Sequence, residues 1–325
     1  MNTEPNNVLT ASRMNSIARC PRAHYLQYEI GLQRESTGLA LAIGSAWHRA
    51  IESRWKKDAS FEEAFSDALP LNDTLDEYQA AKVSAMLEAY YEIYPITEKC
   101  EIVLTEQKFK FPLVGVKGFT VQGKLDNLIQ REAGSEVELI EYKTTGDSIE
   151  SNSEYWMRLR FNFQLFQYTL AARSLGYDVG KVFYDVARKA GLKPKMIDLL
   201  DKQGRKVVVD EKGDRVWIEP KKKASPVTAK KGKKKKPSEK VEREPRQTGD
   251  KNLGYKLEQR LESPEQYRAR LLKDILSRPQ FYFARKEVPI LENDLIEFQA
   301  HRITIAKLIL YFREQASKLH KPEQA

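Results

Sequence analysis

Two short runs near the middle of the chain constrain it more than anything else. VQGKLDNLIQ (121–130) and VELIEYKTT (137–145) are rich in Val, Ile, Leu and Tyr, and REAGSE between them has the glycine and polar residues of a turn. They predict a β-hairpin. Side chains alternate across a strand, so Glu141 and Lys143 share one face while Ile140 and Tyr142 take the other. Asp126 falls where it can lie beside Glu141 across the ladder, which puts an Asp, a Glu and a Lys on one patch.

Such a patch suits phosphodiester hydrolysis. Two oxygen-bearing side chains hold Mg²⁺ or Mn²⁺, and the ion activates water and neutralises charge on the phosphate. A lysine beside them orients that water or stabilises the transition state. An acid-x-Lys triplet also arises by chance in a chain with 55 Lys and Arg and 46 Asp and Glu, and Glu106-Gln107-Lys108 is a rival. The Gly-Lys-Leu-Asp run ahead of Asp126 and motifs elsewhere favour residues 141–143.

Those motifs are GSAWHRAIE (44–52), GKLDNLI (123–129), LIEYKTTG (139–146) and QLFQY (164–168). In this order and spacing they resemble the PD-(D/E)XK nuclease superfamily, and within it the RecB-like exonuclease branch that also holds CRISPR-associated and phage nucleases. The resemblance covers residues 8–190, and more loosely the C-terminal part. The superfamily's usual motif proline is absent, since Leu125 precedes Asp126.

The resemblance implies an α/β (or α+β) fold with a restriction-endonuclease-like core, a mixed central sheet carrying the catalytic β-hairpin and flanked by helices. It implies a metal-dependent deoxyribonuclease, of exonuclease type, in DNA recombination, repair or phage DNA processing. Asp126 and Glu141 would hold the metal, His48 would assist as neutral imidazole, and the carbonyl of Tyr142 is a further ligand candidate. Lys143 would handle water and charge. Gln164 and Tyr168 match the branch's Gln-x-x-x-Tyr pair, which flanks the site and contacts DNA; helix-face packing is the plain alternative. Arg158 and Arg160 are candidates for phosphate contacts.

In some relatives the cysteine of a CPRAHYL-like element ligates an iron–sulfur cluster with three more near the C-terminus. Here those three are missing, so no such cluster is expected and Cys20 reads as a buried small hydrophobe. The expected partner is DNA, as single strands or duplex ends, with a recombinase, helicase or single-strand-binding protein as a possible companion. Two other readings stay open: a structure-specific endonuclease, and a non-catalytic DNA-binding or assembly protein on a nuclease-like scaffold. The intact Asp, Glu and Lys weigh against the second.

The formal charge of +9 is not spread over the 325 residues. Residues 220–240 hold ten lysines and one glutamate, so the rest is neutral and the high pI belongs to one segment. That segment, rich in Lys, Pro, Ser and Gly, is expected to be disordered, as a nucleic-acid tether or a solubilising loop. No apolar run approaches the roughly 20 residues of a membrane span, and the polar N-terminus lacks a signal peptide's apolar core. Two cysteines fit a reducing compartment. A soluble cytoplasmic (intracellular) protein is expected.

The expected organisation has four parts. Residues 1–100 form a helical region carrying the His48 motif, with Thr10 or Ser12 capping a first helix that carries Met14, Ile17 and Ala18. Residues 101–200 form the nuclease core. It holds an edge or early strand at 101–113, the hairpin, one helix over 155–176 with Gly176 as its C-cap, and a strand beginning at 181. Gly118-FTVQ-Gly123-Lys124 has P-loop spacing, but Leu125 replaces the Ser or Thr that would hold Mg²⁺, and the segment reads as strand. Residues 201–255 hold a hairpin turning at Glu211–Asp214 and the lysine-rich insertion. Residues 256–325 pack on the core as a helix over 256–280 capped by Ser263, a strand and a long closing helix.

Overall fold

The computed structural model describes residues 6–32, 38–69, 75–95, 100–160, 162–202, 204, 206–216 and 255–319. They fall into two compact units, 1–191 with 268–325, and 192–267. The lysine-rich segment lies outside the described residues.

In the larger unit the chain opens with β1 (Val8–Leu9) and α1 (Ala11–Arg19), whose N-cap Thr10 accepts from the Arg13 amide. Met14 and Ile17 of α1 are buried, whereas Ala18 and Cys20 are exposed. Cys20 is therefore not the core hydrophobe expected; it sits in extended backbone at the break between α1 and α2 (Pro21–His24), which runs into a π-turn at Tyr25–Glu29. Next come α3 (Leu39–Lys57), α4 (Phe61–Ala68) and α5 (Glu77–Ile93). A capping box of Ser60 and Glu63 starts α4, and Asp76 caps α5.

The sheet is mixed and flanked by helices, as the resemblance implied. It contains β1, β2 (Glu101–Pro112), β3 (Thr120–Gln130), β4 (Val137–Thr145), β5 (Val179–Arg188) and β10 (Phe283–Glu287). The hairpin is there: β3 and β4 pair antiparallel, Asn127 with Ile140, Leu128 with Leu139 and Ile129 with Glu138. β5 returns parallel to β4, and β10 closes the far edge antiparallel to β5. β2 runs antiparallel to β3 along its whole length.

The helix expected over 155–176 is two: α6 (Glu154–Arg160) and α7 (Phe163–Ser174). Asn162 ends the first and caps the second, its side chain accepting from the Gln164 amide and from Asn15 Nδ2 of α1. A side-chain cap at that point competes with a continuous helix, and hydrophobic periodicity alone does not register it. Gly176 (φ 95) follows the C-cap of α7, as read from the sequence.

The smaller unit holds two strand pairs, β6 (Met196–Asp198) with β9 (Gln259–Leu261) and β7 (Val208–Val209) with β8 (Lys256–Leu257). The turn at 211–214 is present, Asp210 N–H donating to the Asp214 carbonyl. Residues 256–261 are strand rather than the helix expected, because β6 and β7 take their backbone groups. α8 (Pro264–Ser277) begins where Ser263 caps it, followed by α9 (Pro279–Tyr282) and, after β10, α10 (Glu292–Leu319). Among the described residues no helix is long and apolar enough to cross a membrane.

A buried polar knot ties α1 to α10. Arg13, 1% exposed, donates from Nε to His24 Nε2 (3.0 Å), from Nη1 to the carbonyls of Asn6 and Val8, and from Nη2 to Glu29 (2.5 Å). Arg313 of α10 donates to the same glutamate (2.7 Å). His24 must present a bare Nε2 to Arg13. Burial first, then the Arg13 charge, pushes its pKa down to about 4. Stability from this group is therefore complete above its unfolded pKa, about 6.5, and is lost as pH falls towards 4. His24→Gln keeps an acceptor without the proton site. Acid titration of unfolding free energy should show the parent losing on the order of 3 kcal/mol more than the variant over that window; parallel curves would refute it.

Candidate active site

The site lies in a gap in the sheet. Thr120 and Val121 of β3 pair with both β2 and β1, and Asn127 to Ile129 pair with both β2 and β4. β1 and β4 therefore share one edge of β3, and residues 122–126 between them have no strand on that edge. Helix α7 supplies partners instead, Gln167 Nε2 donating to the Gln122 carbonyl (2.9 Å). Gly123 is needed here because an added Cβ would lie 2.5 Å from Phe109 Cζ and 2.9 Å from Tyr168 Cε1.

At the fork the β3–β4 register continues to Asp126 opposite Glu141. The ladder has opened there, and the Tyr142 amide donates to Asp126 Oδ2 (2.9 Å) rather than to main chain. Asp126 is 5% exposed and Glu141 1%. Burial, with the neighbouring Asp126 adding and Lys143 opposing, pushes the Glu141 carboxyl up to about 8. Its Oε1 accepts from Lys143 Nζ (2.6 Å) and Gln164 Nε2 (2.5 Å), while its Oε2 is buried and takes no donor. An orphaned carboxylate oxygen in such a place is costly unless a proton or a cation meets it.

Two further ligand-type groups reach Asp126. His48 of α3 has Nδ1 3.7 Å from Asp126 Oδ2, and burial, reinforced by Lys143 and Lys124 and opposed by Asp126, lowers its pKa, which favours neutral imidazole. α3 packs closely at Gly44, where an added Cβ would sit 3.2 Å from Thr144 Oγ1, a tight contact with a side-chain hydroxyl. The other group is Glu106. His48, Glu106 and Asp126 each offer a ligand atom, all within 4.8 Å of one another. This trio fits a divalent cation, a donor set of carboxylate oxygens and imidazole, and Glu141 lines the same cleft.

Sequence reasoning met Glu106 only as the first residue of the rival triplet. Its backbone holds φ 54, left-handed for a non-glycine residue within a strand, while the β2–β3 register runs unchanged from Thr105 with Asn127 to Gln107 with Leu125, which leaves Glu106 opposite Asp126. Such a conformation costs of order 1–3 kcal/mol and is kept where the surroundings enforce it. No local residue pattern announces it. The triplet's Lys108 is exposed, opposite Lys124 in the ladder.

Of the residues singled out from the sequence, Asp126, Glu141, Lys143, Gln164, Tyr168 and His48 line one open cleft of about 710 Å³ with Glu106 and Lys124. Gln164 grips the charged groups themselves, its Oε1 accepting from Lys143 Nζ (2.7 Å) and its Nε2 reaching Tyr168 Oη (3.1 Å). The Tyr142 side chain points away, its hydroxyl accepting from Trp55 Nε1 (2.7 Å). Arg158 pairs with Asp147, and neither it nor Arg160 lines the cleft. Glu52 lines it and pairs with Lys56 (2.6 Å).

The sequence matches the family described as the PD-(D/E)XK nuclease superfamily over residues 8–247. Two solved structures resemble parts of the chain. A candidate exonuclease from Eubacterium rectale matches at 12% identity and TM-score 0.35, over 59% of this chain and 74% of that one. SSO0001 matches at 13% identity and TM-score 0.23, over 57% of this chain and 65% of that one. A comparison with the curated proteins finds no match.

The raised Glu141 pKa has a measurable consequence. A cation that takes up the Glu141 carboxylate must displace its proton, so divalent-ion affinity should rise with pH, by at most about tenfold per unit, and level off above about 8. Calorimetric titration in buffers of different ionisation enthalpy would show proton release on binding. Affinity that is flat with pH, with no proton released, would contradict it.

Proposed function

The chain belongs to the PD-(D/E)XK nuclease superfamily, and from that premise we propose that it is a Mg²⁺- or Mn²⁺-dependent deoxyribonuclease of exonuclease type, working on single strands or duplex ends in recombination, repair or phage DNA processing. One observation carries the reading: His48, Glu106 and Asp126 converge in a cleft that Glu141, with its buried donorless Oε2, also lines. Those residues would hold the ion, with the Tyr142 carbonyl as a further ligand. Imidazole among oxygens favours Mn²⁺ over Mg²⁺ in affinity. The bound ion supplies Lewis-acid polarisation of the phosphate and an activated water.

The chain's own groups do the rest. Asp126 is fixed by the Tyr142 amide, which holds its carboxylate in place beside His48. Lys143, tethered between Glu141 and Gln164, keeps a cation beside the place where phosphate charge accumulates. Gln164 orients Lys143 and Glu141 together and is braced by Tyr168. Contact of Gln164 and Tyr168 with DNA is part of the proposal, as is a recombinase, helicase or single-strand-binding companion.

Asp126→Ala or Glu141→Ala should each lose most metal affinity and nearly all cleavage. Lys143→Ala should keep its metal but cut roughly 100-fold or more slowly, since one charge-stabilising group is lost. Lys108→Ala should match the parent. End-labelled linear DNA beside closed circular DNA reads all four; an exonuclease spares the circle. Cleavage intact in Asp126→Ala and Glu141→Ala, or abolished in a folded Lys108→Ala, would move the site elsewhere.

A further inference from the structure

Lys124 has no task in that mechanism, yet it lines the cleft beside the ligand trio's Glu106. It lies on β3 two residues before Asp126, so strand alternation sends both side chains to one face. Its Nζ pairs with Glu106 Oε2, an acid that belongs to the ligand trio. The pair is lopsided in burial. The Glu106 side chain is 6% exposed and is anchored to a strained backbone, whereas the Lys124 side chain is 45% exposed on a flexible stem. Lys143 is different, less exposed at 23% and held from two sides by Glu141 and Gln164.

A divalent cation bound by Glu106 and the ammonium of Lys124 compete for the same negative charge and repel each other at such short range. When the ion enters, the group free to leave is the lysine. Its stem keeps the ammonium within the same cleft, where a nucleic-acid strand would present phosphates. We infer that Lys124 is an exchangeable counter-ion, neutralising Glu106 while the metal is away and transferring to a backbone phosphate of the DNA strand once the metal is bound. This rests on the metal-dependent nuclease reading and deepens it: metal and DNA binding are coupled through one side chain, so each raises affinity for the other.

The exchange predicts effects of opposite sign on the two ligands, which a plain surface ion pair would not produce. The full-length parent is compared with Lys124→Met, which keeps length and loses charge, and with Lys124→Arg, which keeps charge. Mn²⁺ binding without DNA is followed by electron paramagnetic resonance. Binding of a labelled single-stranded oligonucleotide is followed by anisotropy over a range of KCl, with Ca²⁺ as the probe ion or with chelator. Lys124→Met should bind Mn²⁺ at least threefold more tightly, because a competitor is gone. In Ca²⁺ it should bind the oligonucleotide more weakly, with a salt slope shallower by about 0.7, one phosphate contact on a single strand. In chelator its DNA affinity should equal the parent's, since there the lysine is engaged by Glu106. Lys124→Arg should restore the slope. Unchanged or weaker Mn²⁺ binding in Lys124→Met, or an undiminished Ca²⁺-dependent gain in DNA affinity, overturns the exchange and leaves the nuclease reading standing. A parent that binds no Mn²⁺ overturns both.

Discussion

Asp126 and Glu141 are two carboxyl groups buried side by side, and the rest of the site is built around keeping them there. In an ordinary hairpin two acids in register on one face would repel and open to water. Here β4 is pinned along its other edge by nine residues paired with β5, and β3 is pinned along its other edge by β2. Neither strand can retreat. The fork between them turns a repulsive pair into a pocket for positive charge, and the repulsion is offset by Lys143, by the Tyr142 amide and by burial that raises the Glu141 pKa and so favours its neutral form.

The other face of the same strands shows what a buried acid looks like when it is structural. Asp185 of β5 stands in register with Tyr142, and its Oδ2 accepts from Tyr90 Oη (2.8 Å) and from Arg285 Nε and Nη2 (2.9 and 2.7 Å). Burial raises its pKa and the Arg285 charge opposes that. Asp185 and Glu141 are equally buried, but Asp185 Oδ2 has a guanidinium and a hydroxyl on it, whereas Glu141, which lines the cleft, keeps one buried oxygen without a donor. Between these two acids the difference is donor supply, not burial.

Much of this was legible in the residues. Period-2 alternation put Glu141 and Lys143 on one face, the turn at REAGSE set a register that brings Asp126 opposite Glu141, and helical spacing stacked Gln164 on Tyr168. What stayed hidden depends on contacts distant in sequence or on single torsions. Glu106 joins the trio because β2 pairs with β3 in a register that sets it across from Asp126, a pairing between strands that the residues of β2 alone do not state. The break at Asn162 depends on Asn15, 147 residues away. Residues 256–261 have a helical composition and become strand because β6 and β7 claim them. Cys20 reads as a core residue until the chain bends there and leaves it outside.

The central claim is that His48, Glu106, Asp126 and Glu141 form one divalent-ion site at the fork. Anomalous scattering from a crystal of the protein soaked in Mn²⁺ tests it directly. A peak within coordination distance, about 2.0–2.3 Å, of Asp126 and Glu106 oxygens and the His48 ring, with Glu141 turned to meet it and Lys124 moved off Glu106, is the predicted result. A fork without a peak at saturating Mn²⁺, or a peak bound only by residues outside the cleft, would contradict it.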